Sequence, residues 1–358
     1  MSLTRDALVD LIRHGDPARG LDLSAVDLRG LDLSGATFED VRFPKALGVT
    51  SLKESSFAGC DFSGCDLAGA DLHLSTFYRS KLEGARFDEG SHVAANFVEC
   101  VADGASLRKV DGSGVTWAKT SLRGASFAGA NLDRAMFYEV DADGTSFAGA
   151  NLEKTTLYRA DLRTADLAGC NLTLTTLVEA KLGAKSFAGC TLFRTQFMKS
   201  ELAGASFAGA TMPQVNFMAA DLRGAIFAGA RAPQCFFGEA KLDGARFDKA
   251  ELRQAIFDKA ELAGASFAGA MLEEAYFGHA LARGARFDDA RLREADFSHA
   301  DVRDAAFSGA GLYRTRFHLA ERDGASLPRL ADWLGDDDDL ARIERWQPKH
   351  GAPRPRDT

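Results

Sequence analysis

Six cysteines, three C-terminal histidines, one lysine and one acidic run have the types and spacing for chemistry in this sequence. Cys60, Cys65, Cys100, Cys170, Cys190 and Cys235 could form a disulfide framework or, as converging thiolates, hold a metal. His279 and His299 lie twenty residues apart with His318 nearby, and two imidazoles brought together could share an ion. Lys185 is a candidate catalytic amine only if a pocket desolvates it. The run Asp336–Asp339 resembles a cation site or a phosphate mimic, or the charged start of a short helix. Which of these meanings applies depends on the elements that position the residues.

Those elements follow a period of five. From Leu47 to Leu327, counting in fives gives 57 positions, of which 50 are Leu, Phe, Met, Val or Trp. The exceptions are His92, Ala102, Gly112, Ala142, Ala232, Ala282 and Arg322. An earlier run, Leu23, Leu28, Leu33, Phe38 and Phe43, keeps the period one residue out of phase. Of the 26 phenylalanines only Phe193 and Phe236 fall outside these positions. A period of five is neither the 3.6 of a helix nor the 2.0 of a strand, so the chain reads as a repeat array. Two residues before each large residue stands a small one, most often Ala, which lets the opposite wall of a thin coil approach.

The units "ANLDR" (130–134), "ADLRT" (160–164), "ADLRG" (220–224) and "AELRQ" (250–254) resemble the motif of the pentapeptide-repeat family, and the resemblance covers about residues 21–330. It implies an all-β solenoid, a right-handed four-sided β-helix with four pentapeptides per coil. The sequence supports the coil length independently, because from Ser126 onward "SFAG" recurs at 126, 146, 186, 206 and 266, always a multiple of twenty apart. About fifteen coils at ~4.8 Å give a rod of roughly 70 Å. Short helical caps are expected at both ends, where open coils would expose unpaired strand groups. The expected organisation is an N-terminal cap over 1–20, the β-helix over 21–330, and a C-terminal cap with a disordered tail over 331–358. Thr4 reads as the first helix's N-cap, with Ala7, Leu8, Leu11 and Ile12 on one face. Leu330, Trp333 and Leu334, then Leu340, Ile343 and Trp346, read as the apolar residues of the second cap.

Phase then narrows the chemistry. All six cysteines occupy the small inward position, so they read as buried free thiols. Lys185 also falls there, where a charge is costly, which predicts a local distortion in place of a catalytic amine. The histidines read as a solvated surface ladder. No CxxC is present, a packed coil leaves no pocket, and neither metal nor cofactor nor enzymatic activity is expected.

A rod of this kind acts through its faces. The "SFAGA" units build one smooth wall of small residues, which also suits tight turns. On the third face, the residues flanking the core position are expected to point outward and form an apolar stripe. The candidate partner-binding residues are Tyr78, Tyr138, Tyr158, Val178, Met198 and Met218, continued by Phe236, Ile256 and Tyr276. Pro213 and Pro233 stack one coil apart beside this stripe, and a missing ladder donor there predicts a locally open corner. Residues 88–116, which lose three large core residues, are a second irregular region.

The expected function is a non-enzymatic scaffold or adaptor for protein partners of unknown identity. Long domains resembling this one also occur with bacterial secretion machinery, which keeps an adaptor role there open. The alternative implied by the family is a DNA mimic that inhibits or protects gyrase, a type II topoisomerase. Such a mimic needs a strongly negative surface. The net charge is −8, the segment from Ala331 carries −2 and residues 1–20 balance, which leaves only −6 along the coils. No basic patch supports direct nucleic-acid binding, and no apolar run or cationic amphipathic helix supports a membrane role. A cytoplasmic location is expected, and self-association through a coil end or a flat face is compatible with the sequence.

Overall fold

The computed structural model describes residues 4–48, 51–328 and 332–344. One pentapeptide, Asn131 to Ala135, explains the rest. Asn131 bridges to the coils on either side, Leu132 points inward, Asp133 and Arg134 turn the corner, and Ala135 is buried. The Ala135 amide donates to the Leu132 carbonyl at 3.0 Å, closing a tight turn whose third residue, Arg134, has φ +56. Two further bonds tie each unit to its neighbours. The Asn131 amide donates to the Val110 carbonyl (2.9 Å) and the Leu132 amide to the Asn151 carbonyl (2.8 Å). Four such corners close a coil, and parallel pairing at a spacing of twenty stacks the coils into a right-handed quadrilateral β-helix of about 16 turns.

The rod begins earlier than the repeat pattern indicates. Helix α1 (Arg5–Arg13) is capped by Thr4, whose hydroxyl accepts from the Ala7 amide at 3.3 Å, and it buries Leu8. Strand β1 (Ala18–Arg19) already pairs in parallel with β2 (Thr37–Glu39), so the first coil overlaps the expected cap. Five residues with no large apolar member conceal this coil from a count of core residues. The phase slip after Phe43 is absorbed in one coil of nineteen, where Phe38 pairs with Phe57.

The third face carries β3 (Ser56–Ala58), β4 (Thr76–Tyr78), β5 (Asn96–Val98), β6 (Thr116–Ala118), β7 (Met136–Tyr138) and β8 (Thr156–Tyr158) in one parallel sheet with β1 and β2. β-Branched and aromatic residues flank the core position there, which favours extended backbone. Beyond Thr156 the same face continues as single bridges.

At the other end, β9 (Thr315–Arg316) pairs with β10 (Trp333–Leu334), and the Trp333 indole meets the Phe317 ring edge-on at 5.3 Å. Helix α2 (Asp338–Glu344) follows, capped by the Asp337 carboxylate, which accepts from the Asp339 and Leu340 amides at 3.1 and 3.0 Å. The acidic run is therefore a helix start. These bonds hold the Asp337 carboxyl below its ordinary range. The expected apolar face of this cap is not buried. Leu340 and Ile343 are exposed, and α2 buries Ala341 instead, because Trp333 has already covered the last coil. Leu330, Trp346 and the segment 349–358 lie outside the described residues.

Both irregular regions keep the coil. At Pro213 and Pro233 the corner is closed: the Arg194 amide donates to the Pro213 carbonyl (3.1 Å) and the Gln214 amide to the Pro233 carbonyl (3.0 Å). Outside the distorted corner at Gly183, the ladder does not use the amide of the second turn residue, so Pro costs it nothing there, and proline's fixed φ suits that position. Over 88–116 the turns also persist. Trp117, stacked on Phe97 at 3.9 Å, fills the coil that Ala102 and Gly112 leave thin. His92 is buried against Phe87 as a neutral ring, its pKa pushed down to about 3 by burial.

Lys185 produces the expected distortion. Its own amide turns back to the Gly183 carbonyl at 2.8 Å, and the corner is lost. In every other coil of this face the bridge residue's amide bonds the coil before it, as Asp166 bonds Thr145. Here the Ser186 amide makes no such bond, and the Lys185 ammonium takes the Ala165 carbonyl in its place. Burial lowers the pKa of that ammonium.

Candidate interaction surface

The buried small positions are chemically quiet. All six cysteines are free and buried, and each thiol faces a carbonyl of the preceding coil, as Cys170 does Phe147 at 3.0 Å and Cys235 does Met212 at 2.9 Å. Burial pushes Cys60, Cys65 and Cys100 up to about 11 and Cys170 and Cys235 up to about 12, so they stay as thiols. Thr145, Thr155, Thr175 and Thr195 donate to the equivalent carbonyls at 2.6–2.7 Å. Cys, Ser and Thr thus share one task that Ala cannot perform, a role signalled in the sequence only by their common phase.

The histidines form a different group from the pair expected. His279 and His299 do stack, with centroids 4.8 Å apart. His299 Nε2 also lies 3.2 Å from the Glu344 carboxylate, and His318 Nε2 lies 3.4 Å from it. These three ligand-type atoms fall within 4.8 Å of one another, yet the buried His318 ring is fixed in the wrong tautomer for a metal. Its Nδ1 accepts from the Asp337 amide at 3.0 Å, so the neutral ring carries its proton on Nε2, toward Glu344. The cluster sets the Glu344 carboxylate of α2 beside both histidines of the last coils, and the buried His318 Nε2 makes no hydrogen bond among the described residues.

On the third face the outward residues form two columns, one on each side of the core position. In the first, Tyr78 pairs with Val98, Val98 with Ala118, Ala118 with Tyr138, and Tyr138 with Tyr158. The same register continues through Val178, Met198 and Met218, all at least partly exposed. The Tyr138 and Tyr158 rings stack at 5.6 Å. Past Met218 the bulk changes sides. Phe236, Ile256 and Tyr276 bridge in sequence on the other column. Phe236 and Tyr276 fold across Gly238 and Gly278, where a Cβ would collide with the Phe236 ring (2.6 Å) and with the Tyr276 hydroxyl. Those two glycines serve as seats for the rings. Met136, 48% exposed beside Tyr138, widens the patch. It escaped the sequence reading because that reading followed only one column in this part of the rod.

Charged corner residues border the first column. From Arg79 to Lys199 they alternate in sign: Arg79, Glu99, Lys119, Glu139, Arg159, Glu179, Lys199. Arg79 and Arg159 lie over the Tyr78 and Tyr158 rings at 4.8 and 4.9 Å, and both also pair with an acid one coil on, Glu99 (2.7 Å) and Glu179 (2.8 Å). Lys119 and Lys199 make no ion pair among the described residues. Elsewhere, amide ladders run up the corners, as from Arg194 through Gln214, Gln234 and Gln254 to Glu274 at 2.6–2.9 Å per step. On the fourth face several acids are paired, for example Asp161 with Arg163 and Asp141 with Arg123, each at 2.6 Å. No helix among the described residues is long and apolar enough to cross a membrane.

The smooth "SFAGA" wall has a backbone cause. Gly149, Gly209 and Gly229 stand at the left-handed turn position (φ +64 to +65), with open space where a Cβ would be. They are there for their conformation, not for close approach.

Comparison with known proteins agrees with this architecture. The family model for pentapeptide repeats (8 copies) matches residues 51–89, 118–153, 200–238, 235–273 and 270–309. A second model, pentapeptide repeat region, matches 145–217. No curated protein matches the chain. Among solved structures, HetL from the cyanobacterium Nostoc sp. strain PCC 7120, a pentapeptide repeat protein involved in heterocyst differentiation regulation, is 25% identical, over 72% of this chain and 89% of its own (TM-score 0.25). A pentapeptide repeat protein of the Arabidopsis thaliana thylakoid lumen is 26% identical, over 34% of this chain and 77% of its own (TM-score 0.22). QnrB1, a plasmid-mediated fluoroquinolone resistance protein, is 17% identical, over 60% of this chain and 91% of its own (TM-score 0.23). With family models covering more than half of its length and a coil built from these units throughout, the chain belongs to the pentapeptide-repeat family.

Proposed function

We propose that this rod is a non-enzymatic scaffold or adaptor that binds protein partners along its third face. The observation that carries the reading is the column from Tyr78 to Met218, in which Tyr, Val and Met recur on an outer face over eight successive coils. Tyrosine and methionine are enriched at interface cores, and the arginines stacked on the rings supply a polar rim. Stacking within the chain accounts for neighbouring contacts but not for the exposure of Tyr78, Met136 and Met218. The interior offers such a surface no rival, since its thiols, hydroxyls and His92 are all buried in packed coils.

The reading as a gyrase-directed DNA mimic has less support. Acids on the third-face corners alternate with Arg and Lys, and those on the fourth face are in part paired and are interleaved with Lys181 and Lys241, so neither presents a continuous negative stripe.

The test is a pull-down from bacterial lysate with wild type and the triple variant Tyr138→Glu/Tyr158→Glu/Met198→Glu, both shown equally folded by circular dichroism. Partners captured by wild type and lost by the variant are the expected result, and their identity distinguishes a secretion component from a topoisomerase. Identical capture by both proteins reduces the stripe to a stacking ladder.

A further inference from the structure

We propose that a second copy of this chain occupies the third face from Tyr78 to Met218, antiparallel, with the two-fold axis between Tyr138 and Tyr158. The proposal rests on the reading of this face as a contact surface and names one occupant for it.

Two observations place the axis independently. The column has eight members, Tyr78 to Met218, and ends at Gly238, across which Phe236 folds from the other column. Its midpoint lies between Tyr138 and Tyr158, the one stacked tyrosine pair, with exposed Met136 alongside. An antiparallel copy about that midpoint engages all eight members and sets Tyr138 against the partner's Tyr158.

The corner charges fit the same register, as they fit any axis midway between two coils, and the column's midpoint chooses among those. A parallel two-fold copy would carry this corner to the opposite edge of the face and leave its charges unopposed, whereas an antiparallel copy keeps the alternating row from Arg79 to Lys199 against itself. An antiparallel copy about the chosen midpoint sets opposites together throughout: Glu139 against the partner's Arg159, Lys119 against the partner's Glu179, and Glu99 against the partner's Lys199. A shift of one coil reverses every one of these contacts. Pairing inside the stack does not use up the charges, since Lys119 and Lys199 have no ion partner among the described residues. Like-charge juxtaposition is a strong discriminator of register, stronger than the attraction is a source of affinity. Eight coils span about 34 Å, and a face on the order of 10 Å wide then buries a few hundred Å² per copy. That is the range of weak, reversible dimers.

The test is sedimentation equilibrium on the full chain, on Lys119→Glu, on Glu179→Lys and on the two variants mixed, all with matched circular dichroism. Wild type is expected to dimerise below about 1 mM, the weak end of specific association. Each single variant places like charges opposite each other twice and is expected to lose at least tenfold in self-affinity. Mixed in equal amounts, the two variants regain complementarity and should form a heterodimer of wild-type affinity. Repulsion within one stack predicts no such rescue, nor does an axis moved to between Ala118 and Tyr138. Wild type that stays monomeric, single variants that dimerise normally, or a mixture that fails to recover each overturns the proposal. If wild type is monomeric while the stripe still captures a protein in the pull-down, the face remains a contact surface and only the second copy is removed.

Discussion

From Phe187 to Phe317 two columns of phenylalanine rise on opposite faces without a gap, each ring stacked on the next at 4.5–5.2 Å and edge-on to the other column. From Phe57 to Phe147 the same positions are interrupted by Leu67, Leu107 and Trp117, and the core positions between them include His92, Ala102 and Gly112. Between the two blocks every core position from Leu152 to Leu182 is Leu, and the broken ladder at Lys185 stands at the top of that spacer. A solenoid coil touches only its neighbours, so a local fault is not passed along. That permits one block to be uniform and the other varied on a single backbone. The varied block also bears most of the sheet and the first half of the apolar column, whereas the uniform block has small or charged residues after most core positions.

The largest expected effect comes from breaking a ring column. Phe247 is fully buried and stacked between Phe227 (4.6 Å) and Phe267 (4.7 Å). Phe247→Ala should cost about 3–5 kcal/mol, read by urea denaturation. With nearest-neighbour coupling the loss should unfold the uniform block first, as a separate transition, leaving the N-terminal block intact.

Next is a pH effect confined to the varied block. The folded-state pKa of His92 lies near 3 against an ordinary 6.5, so the unfolded chain binds the proton that the folded chain refuses. Stability from this residue is therefore complete above about pH 6.5 and declines as pH falls toward 3, by about 1.4 kcal/mol per unit. His92→Leu should remove a difference of about 2 kcal/mol between pH 7 and pH 5, measured against wild type in parallel urea titrations.

The spacer gives a smaller effect of opposite sign. Lys185→Ala removes a half-buried ammonium and restores the residue type of neighbouring coils, so it should stabilise by about 1–2 kcal/mol. Amide exchange at Ser186 should slow in the variant, because its N–H can then reach the Ala165 carbonyl. Unchanged exchange would mean that the corner is set by Gly183 and not by the lysine.

Smallest is Gly278→Ala in the uniform block. Its methyl would collide with the Tyr276 hydroxyl, a movable side-chain end, so the cost should stay at about 0.5–1 kcal/mol. Tyr276 should swing outward, seen as a change in tyrosine fluorescence with the melting midpoint nearly unchanged.

The period of five, the inward thiols, the distortion at Lys185 and the helix start at Asp337 were all legible in the residues, because each depends on phase along the chain. The closed corners at Pro213 and Pro233 were not, since pattern alone does not tell which turn amide the ladder employs. Nor was the exposure of Leu340 and Ile343, which depends on Trp333 having reached the last coil first.

The apolar column shows the same division. The sequence placed Tyr78 to Met218 after the core position and Phe236, Ile256 and Tyr276 before it, so the passage of bulk between Met218 and Phe236 was legible in the residues. The folded coil adds that the two positions form separate columns on either side of the same core residue. Periodicity determined the fold by itself, since every unit satisfies its backbone in the same way. The tertiary structure decided which side chains share a face, which charges remain unpaired, and which histidine nitrogen keeps its proton, since those depend on neighbours twenty or more residues away.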